Sequence, residues 1–194
     1  MKYDIILSGV GGQGTLSVAA IIASAALKQG LTVRQSEIHG MSQRGGAVVS
    51  HLRLSDGTVD SDLIPIGEGD LLLSMEPLEA LRHITYLSPS GRLISAAEGV
   101  ENIPVYPDMN KIREEILAQP GARIVDARSI ARDAGSLKAV NIVMIGAASG
   151  SIPISKENFM AAIDERFRTK GEKVQEANRR AFELSLAEAC GAGS

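Results

Sequence analysis

The residues of this chain best placed to do chemistry are glycines. Gly9-Val10-Gly11-Gly12-Gln13-Gly14 follows the apolar run Asp4-Ile5-Ile6-Leu7-Ser8 and opens a long apolar stretch. A strand, a glycine-rich turn and a helix start together point backbone N–H groups at the positive end of a helix, where they can cradle a phosphate. The spacing Gly9-x-Gly11-x-x-Gly14 also matches the dinucleotide fingerprint. That use requires an acidic residue about 20 residues further on, at the end of the second strand, for a ribose hydroxyl. Glu37 stands near that place, but Arg34 and Gln35 occupy the strand and Gly40-Met41-Ser42 follows directly. A second glycine-rich loop then stands where a dinucleotide fold would have a helix. Two other readings stay open: glycines that let a turn sit tightly on the first helix, or a seat for an anion or for the backbone of a neighbouring chain.

That second loop, Ser42-Gln43-Arg44-Gly45-Gly46, sets one cation among small residues. A guanidinium stays charged and needs acceptors, so Arg44 is poor core material. The glycines behind it permit positive φ and close approach of another surface. Arg44, with Gln43 beside it, reads either as an anion or interface contact or as part of a solvated turn. His39, His51 and His83 lack the acids or cysteines at fixed spacing that a metal site needs, and each reads as a hydrogen-bonded structural histidine. Glu114-Glu115 and Asp56, Asp60 and Asp62 read as helix surface and turns. No Ser/His/Asp or Cys/His set can be assigned from spacing, so no catalytic residue is named.

The bulk composition narrows the partners. With 20 Lys and Arg against 23 Asp and Glu, the net charge of −3 offers no general attraction for nucleic acid or anionic lipid. Aromatic residues make up 3% and Trp is absent, which weakens any base-stacking role. The one cysteine, Cys190, provides neither a disulfide framework nor an iron–sulfur ligand set. There is no signal-peptide pattern and no apolar run near the ~20 residues that cross a bilayer, so the chain reads as cytoplasmic.

The elements that must hold these loops follow from periodicity. Residues 4–8 predict a buried strand, 15–29 an extensively apolar helix closed by Gly30, and 31–38 a second strand. This βαβ start implies a parallel pair with a right-handed crossover. Residues 47–54 alternate as a strand, with Val49, His51 and Arg53 on one face. Residues 70–75 form an interior strand, followed by a helix from Glu76-Pro77 to about Leu87 and, after the Pro89-Ser90-Gly91 turn, a strand over 92–95. A helix over 108–118, a strand over 123–127 and a short helix over 129–134 come next. The run 140–148 is ambiguous between strand and buried helix, and the helix is preferred. Helices over 155–167 and 172–189 close the chain, with a frayed tail from Gly191. The expectation is one α/β domain over 1–194, a three-layer Rossmann-like arrangement with a mostly parallel sheet flanked by helices.

The strand with Gly9-Val10-Gly11-Gly12-Gln13-Gly14, then Glu37-Ile38-His39-Gly40-Met41-Ser42-Gln43-Arg44-Gly45-Gly46, resembles the gamma-type domain of the 2-oxoacid:ferredoxin oxidoreductases. Residues 53–56, Leu73-Ser74-Met75-Glu76-Pro77-Leu78-Glu79-Ala80 and Asn141-Ile142-Val143-Met144-Ile145-Gly146-Ala147 support it, and it extends over roughly residues 3 to 189. Within the family, the wording of the second loop is most similar to the small (beta) subunits of the indolepyruvate:ferredoxin oxidoreductases. Gamma subunits for pyruvate, branched-chain oxoacids and 2-oxoglutarate share the motifs. The resemblance implies a subunit, inactive alone, of an enzyme that oxidatively decarboxylates aryl pyruvates to acyl-CoA and reduces ferredoxin. It implies that thiamine diphosphate, magnesium and 4Fe–4S clusters sit in a partner alpha subunit, with CoA as co-substrate. Gly11, Gly12, Gln13, Gly14, Arg44, Gly45 and Gly46 would then be CoA-proximal or subunit-interface residues.

Overall fold

Strand, turn and helix alternate as the periodicity predicts, but the sheet they build is not wound in sequence order. The computed structural model describes residues 1–39 and 45–191. In chain order the elements are β1 (Lys2–Val10), α1 (Thr15–Lys28), β2 (Thr32–His39), β3 (Ala47–Ser55), β4 (Gly69–Ser74), α2 (Pro77–His83), β5 (Leu87–Ala96), α3 (Met109–Leu117), β6 (Arg123–Val125), α4 (Ala127–Asp133), α5 (Val140–Ser149), α6 (Lys156–Phe167) and α7 (Glu172–Gly191). The six-stranded sheet has the order β2-β3-β1-β4-β5-β6.

The expected parallel β1–β2 pair does not form. β3 lies between them, antiparallel to both, from Lys2↔Ser55 to Val10↔Ala47 on the β1 side. Burial explains the exchange. β3 carries Val49, Leu52 and Leu54 and belongs in the interior, whereas Arg34, Gln35, Ser36 and Glu37 suit β2 to an edge. β1, β4, β5 and β6 are mutually parallel, so the sheet is mixed.

Side-chain alternation sends Ile5, Leu7, Leu52, Leu54, Leu71 and Leu73 under α1 and α4 to α7, and Ile6, Val49, Leu72 and Leu93 under α2 and α3. This makes three layers. Where α2 and α3 do not reach, the connection over residues 56–68 covers the second face. There Arg53 donates to both carboxylate oxygens of fully buried Asp4 and to the carbonyls of Ser61 and Leu63.

Several boundaries shift: β1 extends to Lys2–Val10, and β6 ends at Val125 because Asp126 caps α4, which starts at Ala127 where the sequence predicts the strand to continue. α2 stops at His83 and a 3-10 turn leads into β5, which begins at Leu87. Pro89-Ser90-Gly91 sits inside β5 as an irregularity: the pairing jumps from Gly69↔Leu87 to Leu71↔Arg92. A side chain at Gly91 would come within 2.5 Å of the Gly69 carbonyl, so the bulge needs glycine there. The ambiguous 140–148 run is a helix, buried nearly throughout. Leu16 and Leu27 of α1 are exposed, so that helix is not covered on every side.

His51 is buried against Tyr86, and its Nδ1 accepts the Ile64 N–H at 2.9 Å. Burial first, then the charges of His83 and Arg53, holds its pKa below the ordinary 6.5. The unfolded chain therefore takes up this proton first, and stability contributed by neutral His51 is lost as pH falls below about 6.5. Urea midpoints should drop between pH 7.5 and 5.5, and His51→Phe should flatten that slope; an unchanged slope would exclude His51 as its source.

Candidate functional site

β1 ends in a turn closed by the Gln13 N–H on the Val10 carbonyl at 3.0 Å. Gly12 has φ +104° and Gly14 φ +82°, conformations that side-chain-bearing residues rarely adopt. Gly14 is the N-cap of α1, and a Cβ there would also collide with the Asn141 amide. With no side-chain cap and no acid in the first turn of α1, the N–H groups of Gly12, Gly14, Thr15 and Leu16 find no partner among the described residues. They border a cleft of about 560 Å³ lined by Val10, Gly11, Gly12, Gly14, Thr15, Leu16, Ser17 and Val48. Such a rim can take an anion or a chain's carbonyl groups.

Gln13 turns the other way. α1 and α2 lie on opposite faces of the sheet after the adjacent parallel strands β1 and β4, which makes the gap between those strands the ligand crevice of an open α/β sheet. Gln13 stitches it shut: Oε1 accepts the Val10 N–H at 2.8 Å and Nε2 donates to the Met75 carbonyl at 3.0 Å. Gly9 lies beneath, where a Cβ would press on Thr15 Oγ1 at 2.9 Å and Met75 Cβ at 3.1 Å. Glu37 sits on edge strand β2, two strand spacings or about 10 Å from β1, and its Oε1 accepts from Gln35. The spacing thus satisfies packing and backbone geometry, while the acid that a dinucleotide's ribose would need stands at the far edge of the sheet. Gln13→Ala should cost about 1–3 kcal/mol by stranding two backbone groups, read as a lowered denaturation midpoint.

The two glycine stretches meet. Gly11 donates to the Gly46 carbonyl at 2.8 Å and Gly45 to the Gly11 carbonyl at 3.3 Å, directly beyond the last β1–β3 rung. Gly45 takes φ +78° to make the bend. Of the seven site residues expected from sequence, Gly11, Gly12 and Gly14 line the cleft, Gly45 and Gly46 abut it, and Gln13 faces a smaller cavity of about 100 Å³ with Met75, Glu98 and Arg128. Arg44 and the His39 side chain lie outside the described residues.

The family model described as pyruvate ferredoxin/flavodoxin oxidoreductase matches residues 4–188. The chain belongs to this family. It is 35% identical to the indolepyruvate oxidoreductase subunit IorB of Thermococcus kodakarensis, over 95% of each chain. A solved keto/oxoacid ferredoxin oxidoreductase gamma subunit from Geobacter sulfurreducens superposes with a TM-score of 0.70 at 26% identity, covering 97% of this chain and 99% of that one. The 2-oxoglutarate:ferredoxin oxidoreductase of Magnetococcus marinus, solved with 2-oxoglutarate, CoA and succinyl-CoA, gives a TM-score of 0.79 at 23% identity. There the match covers 98% of this chain but 31% of the other, so the same fold is part of a much longer polypeptide.

In this oxidoreductase-family chain a third loop, which the sequence reading did not single out, joins the first two. Glu76 follows β4, is 1% exposed and caps α2 by accepting the Glu79 N–H at 2.7 Å. Its other oxygen accepts the Val100 N–H at 3.2 Å and the Tyr106 hydroxyl. Burial, then Glu76 itself, pushes the Tyr106 hydroxyl far above its usual range, so it stays a donor. Asn102, between them, donates Nδ2–H to the Gly45 carbonyl at 2.7 Å. Glu79 is also buried, which raises its pKa against the opposing pull of Arg82 and His83. His51 and His83 are held as structural histidines, the latter through Nδ1 to the Glu79 carbonyl. Glu114, Glu115, Asp56, Asp60 and Asp62 are exposed.

Proposed function

We propose that this chain is the small subunit of an aryl-pyruvate (indolepyruvate-type) 2-oxoacid:ferredoxin oxidoreductase, folded as one gamma-type unit over residues 1–194 and working in the cytoplasm. The observation that carries this reading is the 35% identity to an indolepyruvate oxidoreductase subunit along 95% of both chains. No described helix is long and apolar enough to cross a membrane. A stand-alone NAD(P) enzyme, the other reading of the first loop, is disfavoured by the Gln13 bridge and by Glu37 at the sheet edge.

Decarboxylation and electron transfer belong, in this reading, to the larger alpha subunit. Thiamine diphosphate with magnesium supplies the decarboxylation chemistry there, and 4Fe–4S clusters carry electrons to ferredoxin. A cluster needs several thiolates, and this chain has the single Cys190, exposed near the end of α7. What this chain offers instead is the glycine cleft. Its unpartnered N–H groups fit the phosphates of CoA or carbonyl groups of the partner chain, and Gly11, Gly12, Gly14, Gly45, Gly46 and Arg44 are the residues proposed to meet them, with Gln13 holding the turn.

The deciding experiment is reconstitution. The purified chain alone should show no arylpyruvate-dependent viologen or ferredoxin reduction, and co-expression with the alpha subunit should restore it. Turnover by the isolated chain would sink the reading, as would saturable micromolar binding of NADH or NADPH in calorimetry. Arg44→Ala should raise the apparent KM for CoA or weaken subunit affinity about 10- to 150-fold, the loss of a charge-assisted contact. Unchanged values would remove Arg44 from the site.

A further inference from the structure

The segment from β5 to α3 has no regular structure over residues 97–108, yet it is tied down at both ends and in the middle. Ala97 leaves the sheet with its N–H on the Val125 carbonyl at 2.9 Å and its own carbonyl accepting from Arg113 at 3.3 Å. One carboxylate oxygen of Glu76 then receives Val100 and Tyr106, on either side of Asn102. A buried carboxylate is stable when donors surround it, and among the described residues Glu76 draws its donors from this segment and from the first turn of α2. Gly99 lets the segment fold onto itself, since a Cβ there would sit 2.5 Å from the Tyr106 hydroxyl and 2.9 Å from Met109 Sδ. Asn102 turns back through its own N–H to the Val100 carbonyl at 2.8 Å, and this aims its amide at Gly45.

We propose that residues 97–107 form a strap, pegged on Glu76, that positions the Gly45–Gly46 bend beside the glycine cleft, with Asn102 as the positioning residue. Besides its covalent continuation into β3 at Ala47, the bend is held, among the described residues, by its two backbone bonds to Gly11. The Asn102 amide supplies a third tie from the far side of β1, so the carboxyl ends of β1 and β4 and the start of β3 are linked through one set of bonds. The bend is fixed before any ligand arrives, which reduces the ordering cost of binding there. The role in catalysis rests on the proposed function; the positioning itself does not.

The test uses Asn102→Ala and the near-isosteric Asn102→Asp, which replaces the donating amide with an acceptor, beside Asn102→Gln, which keeps a donor. In hydrogen exchange on the full chain, the Gly11 and Gly45 amides should exchange about three- to tenfold faster in Asn102→Ala and Asn102→Asp, with Asn102→Gln nearer wild type. In the reconstituted complex the first two should raise the apparent KM for CoA by a similar factor and leave kcat within about twofold. Faster exchange with unchanged KM and subunit affinity upholds the strap and rejects the functional reading of the cleft. Exchange at Gly11 and Gly45 that matches wild type in all three variants overturns the strap.

Discussion

Arg53→Ala is expected to destabilise the fold by about 3–5 kcal/mol, the cost of leaving a buried charge without its partner. Arg53 meets Asp4 with Nε at 2.9 Å and Nη2 at 3.0 Å, a two-pronged pair whose carboxylate is wholly buried. Its remaining nitrogen satisfies the Ser61 and Leu63 carbonyls at 3.1 and 2.9 Å. Truncation leaves four acceptor oxygens short of a donor. Lys2, with Nζ at 3.1 Å from Asp4, offers partial relief, and the contact with Asp4 already raises the Lys2 pKa. With a total stability of about 5–15 kcal/mol for a domain, the loss should be plain in a urea midpoint. The double variant Arg53→Met with Asp4→Leu should recover most of it, because it removes both charges from the interior. Additive losses in the two single variants and the double would refute the account.

Gly146→Val should be comparably damaging, at or above the upper end of the ~1–3 kcal/mol that an overfilled core costs. α5 crosses α7 at Gly146, where a Cβ would lie 2.6 Å from the Phe182 carbonyl and 3.0 Å from Ser185 Cβ. The obstacle is backbone, so no rotamer change can clear it. Ser185 Oγ also donates to the Val143 carbonyl at 2.7 Å, and separating the helices would break that bond. Phe182 packs on Phe159 of α6 with ring centroids 5.7 Å apart, so a shifted α7 would disturb a third helix. Gly150→Ala, at the open end of α5, has nothing within 4 Å and should stay within about 0.5 kcal/mol of wild type. Equal melting of the two variants would refute the close-crossing argument.

The sequence made some of this legible and hid the rest for definable reasons. Periodicity located the strands and helices, and the face assignment of Val49, His51 and Arg53 holds. The order of strands was not legible, because a βαβ reading takes neighbours in sequence for neighbours in space. The polar β2 beside the apolar β3 was the available signal that β3 would take the interior place. At the site, the two glycine loops could be named from their residues, and the structure joins them through Gly11, Gly45 and Gly46. The resemblance made Gln13 a CoA-proximal or interface residue, and nothing in the spacing says that its amide spans β1 and β4. Glu76 read as a helix start, which it is, while its second task depends on Val100 and Tyr106 further along the chain. Asn102 carries no local signature at all. Long-range side-chain bonds of this kind do not show up as periodicity or motif.

The β1–β3 ladder has Arg53 opposite Asp4 near one end and Ala47 opposite Val10 at the other. A slip of a single residue would carry Arg53 through to the opposite face, among Leu52 and Leu54, where no carboxylate waits. It would also draw Gly46 about 3.3 Å away from Gly11. The two ends are some 20 Å apart, the rise of six strand residues. The buried pair therefore acts as an index mark, like the notch that aligns a key: it reads the strand's position at one edge of the molecule and delivers a correctly seated bend at the other.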